Sequence, residues 1–173
     1  MLGGKFRELL PLLTSHFLTL ATKGNIYNVY VRNAMLHACE CWPLTASDLS
    51  RLQRSDRAMI RWICNVKWSD RRSSDSLLKQ LLIPSLTSLL RCHGLRWYGH
   101  VQRDVGCLIN VLNMEVGGVP GRGRPKKTWL QTVKQDSKEW NMPNNASNRL
   151  EWISKMKKCM QTCNPQLGGN KAR

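Results

Sequence analysis

The fold the sequence predicts is all-α: an irregular bundle of about six to eight helices with a basic Gly/Pro loop. Apolar residues recur three and four apart in several separated stretches, which is the spacing of one helix face. Thr45-Ala-Ser-Asp48 places a hydroxyl before an acid three residues on, the arrangement that closes the free N–H groups at a helix start. No stretch carries a convincing strand pattern, and no repeat recurs at a solenoid period.

In chain order, 6–13 is a short apolar segment interrupted by Pro11. From about 24 to 42, Tyr27, Tyr30, Val31, Ala34, Met35, Ala38 and Trp42 share a helix face, and Pro43 ends it. The helix begun at Thr45 runs to about Asn65 and buries Leu49, Leu52, Met59, Ile60 and Ile63. Arg51, Arg54, Arg57 and Arg61 form a stripe along it. That stripe reads equally as a solvated face, partnered by Asp48 and Asp56, or as a phosphate-tracking face.

Residues 66–72 form a loop carrying Trp68, and 76–82 a short helix. Pro84-Ser85 opens a longer helix with Leu86, Leu89, Leu90, His93, Trp97 and Val101 inward; Gly94 and Gly99 weaken it or admit a close neighbour. Residues 106–116 fit a short helix leading into an extended piece. Gly117-Gly-Val-Pro-Gly121 breaks the pattern. Thr128 caps a helix burying Trp129, Leu130, Val133 and Trp140. The last helix, about 146–162, places Leu150, Ile153, Met156 or Lys157, and Met160 inward; the tail 164–173 is expected to be flexible.

A length of 173 residues suits one domain or two small ones, and 42% hydrophobic residues with seven tryptophans exclude global disorder. The charge is lopsided: 27 Lys and Arg against 11 acids give +16 and a pI near 10.1. Such an excess points to a polyanion, most simply nucleic acid. From Pro120 onward there are twelve basic residues against three acids, net +9. No apolar run approaches the roughly 20 residues that span a bilayer. The N-terminus is a poor signal peptide. The expected setting is intracellular, nuclear rather than cytoplasmic, without a membrane. The seven cysteines are irregularly spaced, and most read as reduced core residues, Cys64 and Cys92 falling within apolar helical patterns.

The densest positive block is Gly121-Arg-Gly-Arg-Pro-Lys-Lys-Thr-Trp129. Gly123 and Pro125 keep Arg122, Arg124, Lys126 and Lys127 off a regular helix or strand. Locally it resembles an AT-hook, whose narrow extended core enters the minor groove of A·T-rich DNA. A flexible basic linker is the other reading. A second basic cluster, Arg96, His100 and Arg103, lies beside Trp97 and Tyr98. It reads as a nucleic-acid surface with stacking aromatics, or as a helix with Trp97 and Val101 in the core.

The chain lacks a Walker-type phosphate loop. The aspartates are dispersed, whereas two-metal polymerases and nucleases need them clustered. Cys39-x-Cys41, Cys92-His93 and Cys159-x3-Cys163 do not complete a four-ligand zinc set. No metal, cofactor or enzymatic activity is expected.

Five pieces in order resemble one family. They are Tyr30-Val-Arg-Asn-Ala-Met-Leu36 ending near Trp42, Leu49 to Asn65, Asp70-Arg-Arg72, Leu95-Arg-Trp-Tyr-Gly-His-Val101 and Gly121 to Trp129. Together they look like the C-terminal region of reverse transcriptases encoded by LINE-type (non-LTR) retrotransposons, over about 5–152. The family's Leu-Tyr-Gly-Ser-Glu-Thr-Trp stands here as Leu36-His-Ala-Cys-Glu-Cys-Trp42.

The resemblance implies a thumb-like helical segment (1–42), a helical post-thumb region (43–116), the basic loop (117–128), a C-terminal helical pair (129–163) and the tail. It implies a truncated reverse transcriptase-like protein that binds nucleic acid but lacks the polymerase and endonuclease sites. The nucleic-acid contacts would be Arg122, Gly123, Arg124, Pro125, Lys126 and Lys127, with Arg96, His100 and Arg103 as a second patch. The alternative is a non-functional remnant or a protein-interaction module, whose helical faces once met a polymerase palm or now meet a second copy.

Overall fold

The computed structural model describes residues 2–104, 106–114, 123, 127–143 and 146–163, and every regular element among them is helical. The α-helices are α1 (Leu2–Thr14), α2 (Leu20–Ile26), α3 (Asn33–Met35), α4 (Ala46–Ile63), α5 (Ser74–Leu81), α6 (Leu86–Arg103), α7 (Cys107–Asn113), α8 (Trp129–Glu139) and α9 (Arg149–Cys163). A π-helical stretch, Tyr27–Arg32, joins α2 to α3 as one rod, so the expected six to eight helices are present as eight rods among the described residues. Their starts follow the capping residues: Thr45 and Thr128 each close a reciprocal capping box, with Asp48 and Gln131, while Ser73 and Ser85 accept from the N–H three residues on.

Among the described residues, three apolar clusters hold the bundle. In the first, Phe6 and Leu13 of α1 meet Tyr27 and Val31, Ile60 and Ile63 of α4, and Leu77 and Leu81 of α5. Gly24 closes this unit: a Cβ there would lie 2.0 Å from the Leu81 carbonyl oxygen, so α2 can approach α5 only without a side chain. In the second, Cys92, Leu95 and Tyr98 of α6 meet Val133 and Trp140, and Trp152 and Met156 of α9. A smaller third cluster, Met35, Leu36, Cys39 and Leu86, lies where the rod ends against α6.

Several expectations change. Pro11 does not interrupt the first segment; it sits inside α1, which continues to Thr14. The expected 24–42 helix ends near Met35, and after a turn with Ala38 at φ 54° the chain makes only a 3-10 turn, Cys39–Cys41. Tyr30 (60% exposed), Ala34 and Ala38 face outward, because the buried register is Tyr27, Val31 and Met35, four apart through the π-stretch. Leu150 is 80% exposed; α9 turns Trp152 and Met156 inward instead. On α6 the buried aromatic is Tyr98, and Trp97 is half-buried. Gly99 explains the rotation. The Trp152 indole presses where a Gly99 Cβ would lie, 2.5 Å away, and draws the Leu95–Tyr98–Gly99 face inward.

One buried polar network had no sequence signal. Arg32 and Asp56, 1% and 4% exposed, pair in bidentate fashion at 2.9 and 2.9 Å. Arg32 Nη1 also donates to the Pro84 carbonyl at 2.6 Å, and the Tyr27 hydroxyl donates to Asp56 at 2.8 Å. Burial, with the Asp56 carboxylate beside it, raises the Tyr27 pKa. Every polar atom of the pair is directed at a partner, which is what makes a buried ion pair tolerable.

Candidate nucleic-acid interface

Helices α6 and α9 run antiparallel. Arg103, the last residue of α6, donates to the Ala146 carbonyl just before α9 at 2.9 Å, and Trp152 Nε1 donates back to the Leu95 carbonyl at 3.1 Å. Between them lies a groove of about 860 Å³. Its walls carry Arg96, Arg103, Arg149 and Lys157, while Glu40 is the one acid among its described lining residues. The apolar lining comes from Trp97 on α6 and Ile153, Met156 and Met160 on α9. Arg96, His100, Arg149 and Lys157 are exposed; Arg103 is half-buried by its bond to Ala146. The Trp97 and His100 rings lie 5.2 Å apart at 47°, forming an aromatic wall. Burial pushes the Cys92 thiol pKa up against the opposing pull of Arg96.

Glu40 stands at the other end of the groove from Arg103 and Arg149. The antiparallel pairing puts Gln161, late in α9, toward the same end as Cys92 and Glu40. Trp129 Nε1 fixes the Glu40 carbonyl at 2.6 Å, so the start of α8 is tied to this end. His93 Nδ1 lies 3.7 Å from the Glu40 carboxylate. The His93 pKa is lowered, first by burial and then by Arg96, against the upward pull of Glu40.

Arg122, Arg124, Pro125 and Lys126 of the basic loop lie outside the described residues. Gly123 is exposed with φ +110°, a conformation that favours glycine, and has no neighbour within 4 Å of a built Cβ. Lys127 is exposed and its Nζ donates to Gln135. The loop's exit therefore lies at α8, whose Trp129 touches the Glu40 end of the groove.

Comparison with protein-family models, curated proteins and solved structures finds no match.

The α4 stripe is divided. Arg61 donates to the Lys67 and Arg72 carbonyls at 3.1 and 2.8 Å and lies 4.5 Å over the Trp68 ring, so it holds a loop. Arg54 and Arg57 bond within their own helix, to Ser50 and Gln53. The expected partners are engaged elsewhere, since Asp56 is buried with Arg32 and Asp48 caps the helix at Thr45. Among the described residues no three His, Cys, Asp or Glu side chains cluster so as to hold a metal ion, and the Cys163 side chain lies outside that description. Cys159 Sγ donates to the Trp140 carbonyl at 3.4 Å. No helix among the described residues is long and apolar enough to cross a membrane.

Of the groove's basic residues, Arg96, His100 and Arg103 were named from the sequence and Arg149 and Lys157 were not. A signal existed: the two are eight residues apart on α9, flanking the Trp152–Met156–Met160 face. Glu40 had none, because its place depends on a contact with Trp129 across 89 positions.

Proposed function

We propose that this chain is a nucleic-acid-binding module, similar in kind to the region that follows the polymerase in LINE-type reverse transcriptases, acting by binding rather than catalysis. The observation that carries the reading is the convergence of Arg96, His100 and Arg103 of α6 with Arg149 and Lys157 of α9 around one groove that holds a single acid among the described residues. Cations from two helices at one place, beside the half-buried Trp97 and the exposed His100, match what phosphates and unstacked bases require. The +9 surplus from Pro120 onward agrees with this, since α9 and the basic loop both belong to it. The loop is a second contact in this reading. Arg122 and Arg124 enter a minor groove or grip phosphates, with Lys126 and Lys127 beside them.

Binding measured against salt tests the reading, using A·T-rich duplex, G·C-rich duplex and structured RNA. Contact with about six phosphates gives a log–log slope of roughly −5 on duplex DNA. Arg122→Ala/Arg124→Ala removes A·T preference if the loop acts as a hook, and only lowers the slope if it acts as a basic linker. Salt-independent binding, or none at low salt, overturns the proposal. Self-association without nucleic-acid retention would favour an interaction module instead.

A further inference from the structure

We infer that the α6/α9 groove is a subsite for one unpaired nucleotide of a single-stranded nucleic acid, with the base against Trp97 and the phosphate at the Arg103/Arg149 end. This rests on the nucleic-acid reading and specifies which part of the polymer enters the groove.

The groove is too apolar for a site that reads phosphates alone. Trp97, Ile153, Met156 and Met160 line it, and an A- or B-form duplex presents only a ridge of sugar and phosphate to such a surface. An unpaired nucleotide presents a flat apolar base and an anion together. Base stacking on an aromatic ring combined with cationic tracking of the backbone is how single strands are held without sequence preference. At about 860 Å³ the groove falls within the roughly 300–1,000 Å³ of small-ligand sites.

The groove also has a direction. The antiparallel pairing of α6 and α9 puts Arg103 and Arg149 together at one end, and Glu40 and Gln161 toward the other. Arg103 is pre-set by its bond to Ala146, whereas Arg149 is exposed and free to turn toward an anion. At the far end the Glu40 carboxylate accepts from an amino or imino group on the base edge, and the Gln161 amide can donate or accept. Glu40 is held for this by Trp129, which fixes its backbone carbonyl, and the His93 ring stands beside its carboxylate. A fatty anion would satisfy the floor and the cationic end but would leave Glu40 facing hydrocarbon, which disfavours a lipid.

The test uses the full chain and a fluorescently labelled pentanucleotide, read by anisotropy beside an abasic pentamer of the same length and charge. The parent oligomer is expected to bind about tenfold more tightly than the abasic one. Trp97→Ala should remove about that factor for the parent and change the abasic affinity little, so that the loss is specific to the base. Trp97→Phe should restore most of it, and Arg149→Ala should weaken both probes. Far-UV circular dichroism of each variant checks that α6 is intact; Ile153→Ser provides a second lesion in the floor should Trp97→Ala not fold. Equal affinity for the two probes overturns the inference, as does competition by phosphatidylglycerol vesicles matching that of the oligomer. If duplex DNA still binds in either case, the nucleic-acid reading stands and only the subsite falls. If neither probe nor duplex binds, both fall.

Discussion

The two larger packing units use their charges in opposite ways. In the unit of α1, α2, α4 and α5, an arginine and an aspartate lie inside, and Arg61 braces a loop. In the unit of α6, α8 and α9 the interior is aromatic and aliphatic, around Trp152, and the arginines stand at the rim of a groove. Net charge therefore does not locate a binding surface. Arg32 counts toward +16 yet is neutralised where no polyanion reaches it. The arginines that remain available are those whose helix has buried a different face.

The strongest way to break this comparison is Asp56→Ala. It leaves Arg32 buried and unpaired, and it also removes the partner of the Tyr27 hydroxyl. The expected loss is about 3–5 kcal/mol of stability, measured by urea unfolding. Hydrogen exchange should place the increase in α2, α4 and the 84–86 junction, where Arg32 holds the Pro84 carbonyl. An effect below about 1 kcal/mol would mean the pair contributes little to the first unit.

A sharper comparison sets the two closing glycines side by side. Gly24→Ala drives a Cβ into backbone, the Leu81 carbonyl, whereas Gly99→Ala drives it into the Trp152 side chain. Each should destabilise by about 1–3 kcal/mol, partly offset by the roughly 1 kcal/mol helix preference of alanine over glycine. Gly24→Ala should cost more, because a carbonyl in a helix yields less than a side chain. Only Gly99→Ala should also disturb nucleic-acid binding, since Trp152 lines the groove.

The smallest effect concerns pH. Burial, then Arg96, lowers the His93 pKa, so the folded chain holds fewer protons there than the unfolded one. Its contribution is fully present above the usual histidine value, about 6.5, and is lost as pH falls from there through the lowered folded value. Urea midpoints at about pH 7.5 and about pH 5 should therefore differ, and His93→Gln should reduce that difference. An unchanged difference would remove His93 from the account.

The helices were legible wherever a capping residue met a clean apolar period: α4, α6 and α8 begin after Thr45, Ser85 and Thr128 as their sequences imply. What failed was rotation. Tyr30, Trp97 and Leu150 are apolar residues whose helical spacing predicts an inward position, yet each lies on a flank or outside. Several apolar stripes overlap on these helices, and only the partner decides between them; for α6 the decision is Gly99 against Trp152. The stretches 30–36, 49–65 and 95–101 each place a polar or aromatic residue in the interior, Arg32, Asp56 and Tyr98 respectively. The candidate site was half legible. The α6 cations stand out by density, whereas Arg149 and Lys157 of α9 are marked only by their eight-residue spacing beside the Trp152–Met156–Met160 face. Glu40 arrives through a tertiary contact that no local pattern encodes.

The central claim, that the α6/α9 groove rather than the α4 stripe meets nucleic acid, is tested most directly by comparing salt slopes. Single-strand binding is measured for the unmodified chain, for Arg96→Ala/Arg149→Ala/Lys157→Ala, and for Arg51→Ala/Arg54→Ala/Arg57→Ala. The groove variant should lose about two units of slope, near 0.7 per lost phosphate contact on a single strand, while the stripe variant loses less than about one. A groove variant that keeps the full slope, with the stripe variant losing it, would contradict the account.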